Sequence, residues 1–372
     1  MRGRWRVSEH RHIRSLGVAR DGSGYFFGYD EPPPNAQELR LDTLYTGFSA
    51  GTELTFFKQT NPYLRASWDA EFGIFQSGQP GMSLPLPFLG YMEVARVAAS
   101  RAAGFVEGNV VAGTFGHKTG HIANPTYEIL VGMPADIDPV LGIYAAQMGP
   151  IAANGILHAD AEAFGAAATV LGCGVAGRSV VVNGAGVVGL LVALFAMRAG
   201  AGSVVVADSS SYRRGIAEAL GFTAMTEAAA CQHAKAGWHH GIGDRGADFV
   251  FQTRAHGASL HAALRTLRPQ GCVIDLAFYQ GGADDLRLGE EFHHNGLAIR
   301  CAQIGRVPRG LGYRWDRNRL ATETIGLLRS HGPAIRQHMI THIVPFDDAP
   351  AFLAELARGR TDFVQIVFKV AA

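Results

Sequence analysis

The segment Arg178-Ser179-Val180-Val181-Val182-Asn183 runs directly into Gly184-Ala185-Gly186-Val187-Val188-Gly189, and no other feature of this sequence restricts the fold as tightly. An apolar β-branched run, then glycines at the first, third and sixth positions, then helical spacing, predicts a strand, a sharp turn and a helix. Each glycine has its own reason. The first permits the tight turn, the second lets backbone approach a pyrophosphate, and the third lets helix and strand pack closely. The free N–H groups of the helix N-terminus then face the phosphates, with Val187 and Val188 in that first turn.

The rhythm continues beyond the motif. Ser203 to Ala207, Ala247 to Gln252, Cys272 to Ala277 and Ala298 to Ile304 are further strand candidates, and Val187 to Arg198, Tyr212 to Leu220 and Ala258 to Leu267 are helix candidates. This alternation predicts an α/β unit with a doubly wound parallel sheet of the Rossmann type. Its second strand ends at Asp208, near the roughly 20-residue offset at which an acid accepts from the adenosine ribose hydroxyls. A carboxylate there repels a 2′-phosphate, which favours NAD(H) over NADP(H). Ser209 stands beside it, and Arg213 and Arg214 are the residues that would admit the phosphate instead. Thr253 and Phe278 follow strand C-termini, where open α/β sheets bind ligands, and are expected near the nicotinamide. The stretch Thr226 to Arg245 reads as a helix-and-loop insertion.

A chain of 372 residues is long enough for more than one core. Upstream, glycine and proline punctuate short β-rich runs at Val94 to Ala98, Asn109 to Phe115 and Tyr127 to Val131, the pattern of an irregular antiparallel β domain. Ile143 to Ala163 reads as helices leading into the next unit, and Leu320 to His331 and Asp347 to Arg358 as later helices. The expected division is 1–157, 158–304 and 305–372. Lys and Arg total 33 against 32 Asp and Glu, so no basic footprint for nucleic acid or an anionic membrane exists. Val180 to Ala199, the most apolar stretch, is broken by Asn183 and glycines, so no membrane span is expected. Arg2 to Arg14 reads as a solvated leader or an edge strand rather than an export signal, which implies a cytoplasmic protein. Cys173, Cys231, Cys272 and Cys301 form no CxxC pair and read as buried thiols, with Cys272 and Cys301 in apolar runs.

Thr46-Gly47-Phe48-Ser49-Ala50-Gly51-Thr52-Glu53 resembles the TGxCGSD segment of zinc alcohol and polyol dehydrogenases, and Leu89 to Val97 resembles their GHExxGxV segment. Together with the fingerprint and a late strand in Thr361 to Lys369, these make nearly the whole chain similar to the medium-chain dehydrogenase/reductase superfamily. The resemblance implies a GroES-like β domain, an inserted Rossmann domain and a return to the first. It also implies hydride exchange between a nicotinamide and a small alcohol or carbonyl compound, in a homodimer or homotetramer. The family's metal ligands do not carry over. Its Cys position falls on Ser49 or Ala50, its His on Tyr91 and the adjacent Glu on Met92, while Met148 to Ile151 offers no further ligand and the four-cysteine lobe is missing. No zinc is therefore expected. The pairing of SAGTE with GYxxVxRV is similar to a zinc-less branch that includes bacteriochlorophyllide-type dehydrogenases.

Without a metal, the alcohol proton needs a side chain. Tyr91 is one candidate, either as acid toward the substrate oxygen or as a ring filling the metal's space. Thr52 and Glu53 sit where the family keeps a hydroxyl and an acid, although Glu53 also suits the cap of a helix over Leu54 to Lys58. His117 and His121 form an HxxxH in a glycine-bounded loop, as proton-exchanging groups, a metal pair or surface histidines. His293 and His294, in the polar run from Glu290 to Asn295, are expected near substrate or a partner subunit. The reading is a zinc-independent NAD(H)-linked oxidoreductase of a secondary alcohol, polyol or cyclitol-like substrate. The alternatives are an enoyl- or quinone-type C=C reductase, or a non-catalytic NAD(H)-binding protein.

Overall fold

A computed structural model describes residues 9–359 and 362–370; residues 2–8 of the Arg/His-rich start, and Thr361, lie outside that range. The chain divides into two compact units. One comprises the chain up to Gln147 and again from Ile340, and the other is Met148–Met339.

The first unit is built on a seven-stranded sheet. Its order runs Ile340–Pro345, Gln365–Lys369, Leu39–Phe48, Glu93–Ser100, Val110–Gly113 and Leu130–Gly132, with Gly120–Ala123 also paired to Leu39–Phe48. All pairs are antiparallel except Ile340–Pro345 with Gln365–Lys369. The C-terminal strands thus return to the N-terminal domain. Leu39, Leu41, Ala95, Val97, Val111 and Ala123 bury one core on this sheet. A hairpin of Arg11–Val18 and Gly24–Glu31 precedes the sheet; its Leu16 and Val18 join a second core with Phe48, Phe57, Leu353 and Phe368.

The second unit carries six parallel strands in the order Thr223–Met225, Ser203–Ala207, Ser179–Asn183, Ala247–Gln252, Leu267–Asp275 and Ala298–Cys301. Ser179–Asn183 is buried along its whole length, as expected of a central strand covered on both faces. The order reverses beside it, which puts the glycine motif at the topological switch point where such sheets bind ligands.

Several expectations need correction. The nucleotide-type unit extends to 148–339 rather than 158–304, because helices Met148–Phe164 and Arg317–Ala334 pack with helix Val187–Arg198. Two long N-terminal strands, Gly24–Glu31 and Leu39–Phe48, had no counterpart among the strand candidates, and the edge strand offered for Arg2 to Arg14 is met by Arg11–Val18, which runs past Arg14. In 226–245, the helix Glu227–Gly237 is followed by a small hairpin, and just before it Thr223–Met225 forms the sheet's third strand. Cys301 is exposed because its strand lies at the sheet edge, and Cys173 and Cys231 are only partly buried. No helix among the described residues is long and apolar enough to cross a membrane.

Candidate active site

In the second unit the fingerprint has the geometry its glycines predict. Gly184 sits at φ +102°, a conformation L side chains rarely adopt, and a Cβ there would lie 2.6 Å from Thr253 Oγ1. At Gly189 a Cβ would fall 1.8 Å from the Gly184 carbonyl oxygen, so the helix could not approach its strand. Gly186 differs. A Cβ there meets only Arg213 Nη1, at 3.8 Å, leaving an open backbone face. That face belongs to a cavity of about 210 Å³ lined by Gly184, Gly186, Asp208, Ser209, Arg213 and Thr253, and also by Ser210 and Arg254. Six of the predicted residues are thus brought together, while Val187, Val188 and Gly189 are not among the lining residues. Ser210 and Arg254 were missed, although each adjoins a predicted residue: Ser210 caps helix Ser211–Ala219 by accepting from Arg213 N, and Arg254 follows Thr253.

Asp208 is 4% exposed, and its carboxylate accepts from Ala185 N at 2.9 Å and Ser210 N at 2.8 Å. It therefore fastens the glycine turn to the next strand, a structural task the sequence did not reveal. Thr253 Oγ1 donates to the Asn183 carbonyl at 2.8 Å, locking the motif to the neighbouring strand. Phe278 is 40% exposed and does not line this cavity; the strand before it ends at Asp275 rather than Ala277. His294 is exposed, with Nδ1 3.1 Å from the Glu290 carbonyl.

In the first unit, helix Ala50–Phe57 starts four residues earlier than expected. Glu53 reaches back so that its Oε1 accepts from Ser49 N at 2.8 Å, satisfying a donor at the helix N-terminus. Its Oε2 lies 2.8 Å from His117 Nε2, whose Nδ1 is 2.7 Å from Thr46 Oγ1. His117 is 0% exposed, so it is not a surface histidine. His121 lies on strand Gly120–Ala123 with Nε2 3.1 Å from Glu128. Burial and the nearby Lys118 charge push its pKa down to about 4, leaving it neutral near pH 7. The two histidines face different carboxylates and do not form a shared ligand pair.

Tyr91 donates to Ser49 Oγ at 2.5 Å and lies 3.3 Å from Thr52 Oγ1. Burial, and then the charge of Glu53, raise its pKa, so the phenol is held protonated. Ser49 and Tyr91 occupy positions that resemble the Cys and His of the zinc site. They offer neutral oxygens already bonded to each other rather than thiolate, imidazole or carboxylate. Met92 beside them is buried against Gly47. These residues do not fit the family's catalytic metal.

The parallel sheet with its switch-point glycines and the largely antiparallel sheet of the other unit can now be set beside known proteins. A family model described as zinc-binding dehydrogenase matches residues 187–309. The chain is similar to the medium-chain dehydrogenase/reductase superfamily, by this match and by the relatives below. Two curated relatives share part of its sequence. D-guloside 3-dehydrogenase of Escherichia coli is 30% identical over 174 residues, 47% of this chain and 49% of that protein. D-xylulose reductase A of Aspergillus oryzae is 28% identical over 187 residues, 50% of this chain and 48% of that protein. The chain thus spans about half the length of the curated relatives it matches. A crystal structure of an Escherichia coli oxidoreductase/dehydrogenase of unknown specificity superposes with TM-score 0.71 at 18% identity, covering 97% of this chain and 100% of that one. The family-model match lies wholly in the second unit and says nothing of a metal at Ser49 or Tyr91.

Proposed function

We propose that this chain is a zinc-independent, NAD(H)-linked oxidoreductase of the medium-chain dehydrogenase/reductase type, acting on a secondary alcohol or ketone of polyol, cyclitol or glycoside type. The observation that carries the reading is the fingerprint cavity, closed at Gly184 and Gly189 and open at Gly186, with Asp208, Ser209 and Arg213 around it. Such a surface suits the adenosine and pyrophosphate of a dinucleotide. The names of the two curated relatives, a guloside dehydrogenase and a xylulose reductase, support the substrate class.

The bound nicotinamide would supply or accept the hydride. Tyr91 would meet the substrate oxygen: in reduction the phenol gives that oxygen its proton and regains one from solvent, and in oxidation it first releases its own proton to solvent and then takes the alcohol's. Ser49 and Thr52 orient the phenol, and the Glu53–His117 pair braces the helix that carries Thr52 and follows Ser49. Val187 and Val188 present first-turn N–H groups to the pyrophosphate, while Thr253 and Phe278 are assigned to the nicotinamide end. His121 and His294 take no assigned step. Unpaired thiols at all four cysteines suit a reducing, cytoplasmic setting. The exposed edge strand Ala298–Cys301 suits pairing with a second copy in a homodimer or homotetramer, which the mass in solution tests.

The test is an assay of chelator-treated protein with NAD+ and NADP+ against D-gulosides, other glycosides and polyols. NADH formation, with NAD+ preferred, is expected. Absence of turnover across the panel, or turnover that requires added zinc, contradicts the reading.

A further inference from the structure

A side-chain group elsewhere in the second unit has a different chemistry. His261 on helix Gly257–Thr266 and Glu290 and Glu291 in the distorted turn Leu288–Phe292 each bring one ligand atom within 4.8 Å of the other two. Two of the polar atoms in this group, His261 Nδ1 and Glu291 Oε2, are shielded from solvent and have no hydrogen-bond partner. Leaving a buried polar atom unpartnered is costly, and more so when the group is charged. Two such atoms on neighbouring side chains indicate a shared third partner.

The backbone supports the convergence. In a regular helix, consecutive residues do not face the same neighbour. Glu290 departs from helical geometry, at φ −96° and ψ −124°, and both glutamates reach His261. Glu291 is also oriented from behind, since its Oε1 lies 3.4 Å from Arg265 Nε.

We propose that His261, Glu290 and Glu291 form a binding site for a first-row divalent cation, zinc foremost. One imidazole nitrogen and two carboxylate oxygens are suitable donors for such an ion. Tetrahedral coordination at the usual zinc–ligand lengths puts donors about 3.4 Å apart, so the side chains need close only modestly. Arg265 and Lys235, both electrostatically coupled to Glu291, lower the attraction and make this a moderate rather than a very tight site. Bound there, the ion ties the helix to the turn that leads into edge strand Ala298–Cys301. It acts as a clamp within this unit, separate from the chemistry assigned to Tyr91.

The test is calorimetric titration of the chelator-stripped full chain with zinc chloride, with thermal unfolding measured in parallel. One zinc per chain and a Tm that rises with zinc concentration are expected. His261→Ala and the exposed Glu290→Gln should each weaken binding at least tenfold and abolish most of the Tm shift, while His293→Ala leaves both unchanged. The proposal is overturned if wild type shows neither heat nor shift. Binding that is equal in wild type, His261→Ala and Glu290→Gln overturns it as well. A zinc requirement for turnover that persists in His261→Ala would count against the Tyr91 reading instead.

Discussion

At the residue scale, buried carboxyls set the sharpest expectations. Glu93 is enclosed beside Tyr91 and Met92, with Thr43 Oγ1 donating to it, and burial lifts its pKa from 4.5 to about 7. A raised folded-state pKa means the native protein holds its proton longer than the unfolded chain. The associated stability is full below about pH 4.5 and is lost as pH rises through 7, roughly 3 kcal/mol in all. Glu93→Gln should therefore flatten the pH dependence of denaturant unfolding between pH 5 and 8 and be relatively most favourable at pH 8. A slope equal to wild type would show that Glu93 ionises freely. Asp208 carries a second expectation. Asp208→Ser should narrow or reverse the preference for NADH over NADPH in fluorescence titrations, through lost repulsion and the proximity of Arg213 and Arg254. An unchanged ratio would assign Asp208 to the turn alone. Asp208 was legible in the sequence because its position is fixed by local spacing. The Glu53–His117 contact was not, because its partners are 64 positions apart and nothing local in either segment announces the other.

At the element scale, the glycines of the second unit sort by what surrounds them. Gly189→Ala forces a methyl onto the Gly184 carbonyl, so cofactor affinity should fall at least tenfold and stability by about 1–3 kcal/mol. Gly215, in helix Ser211–Ala219, has nothing within 4 Å of a built Cβ. Gly215→Ala should instead stabilise by about 0.5–1 kcal/mol. Thermal unfolding with NADH titration separates the two cases, and similar behaviour of both variants would contradict the packing argument. Elements with strong local periodicity were readable, as in Val187–Arg198, where the expected and observed helix coincide. Strand Arg11–Val18 was only half legible, because its charged residues suit a solvated leader as well as an edge strand, and the pairing of Arg11 with Glu31 and Asp42 decides for the strand. Thr223–Met225 is too short to signal at all and exists by pairing with Ser203–Ala207.

At the scale of the whole molecule, the two units carry different candidate chemistry. The Met148–Met339 unit presents the fingerprint cavity, and the other unit holds a protonated phenol on two hydroxyls, at positions that resemble the family's metal ligands. The first of these was evident in sequence because glycines and an acid at fixed spacing suffice to define it. The second was visible as missing ligands and as the separate candidates Tyr91 and Thr52, but not as one bonded group, since its hydrogen bonds join Ser49, Thr52 and Tyr91 across the chain. The central claim, that Tyr91 takes over the proton, is tested most directly by the turnover of Tyr91→Phe at saturating NAD+ and substrate, with NADH affinity measured alongside. Loss of a true acid or base lowers kcat by about 10²- to 10⁴-fold, and that loss, with NADH affinity unchanged, is the predicted result. Turnover within a few-fold of wild type would contradict the account.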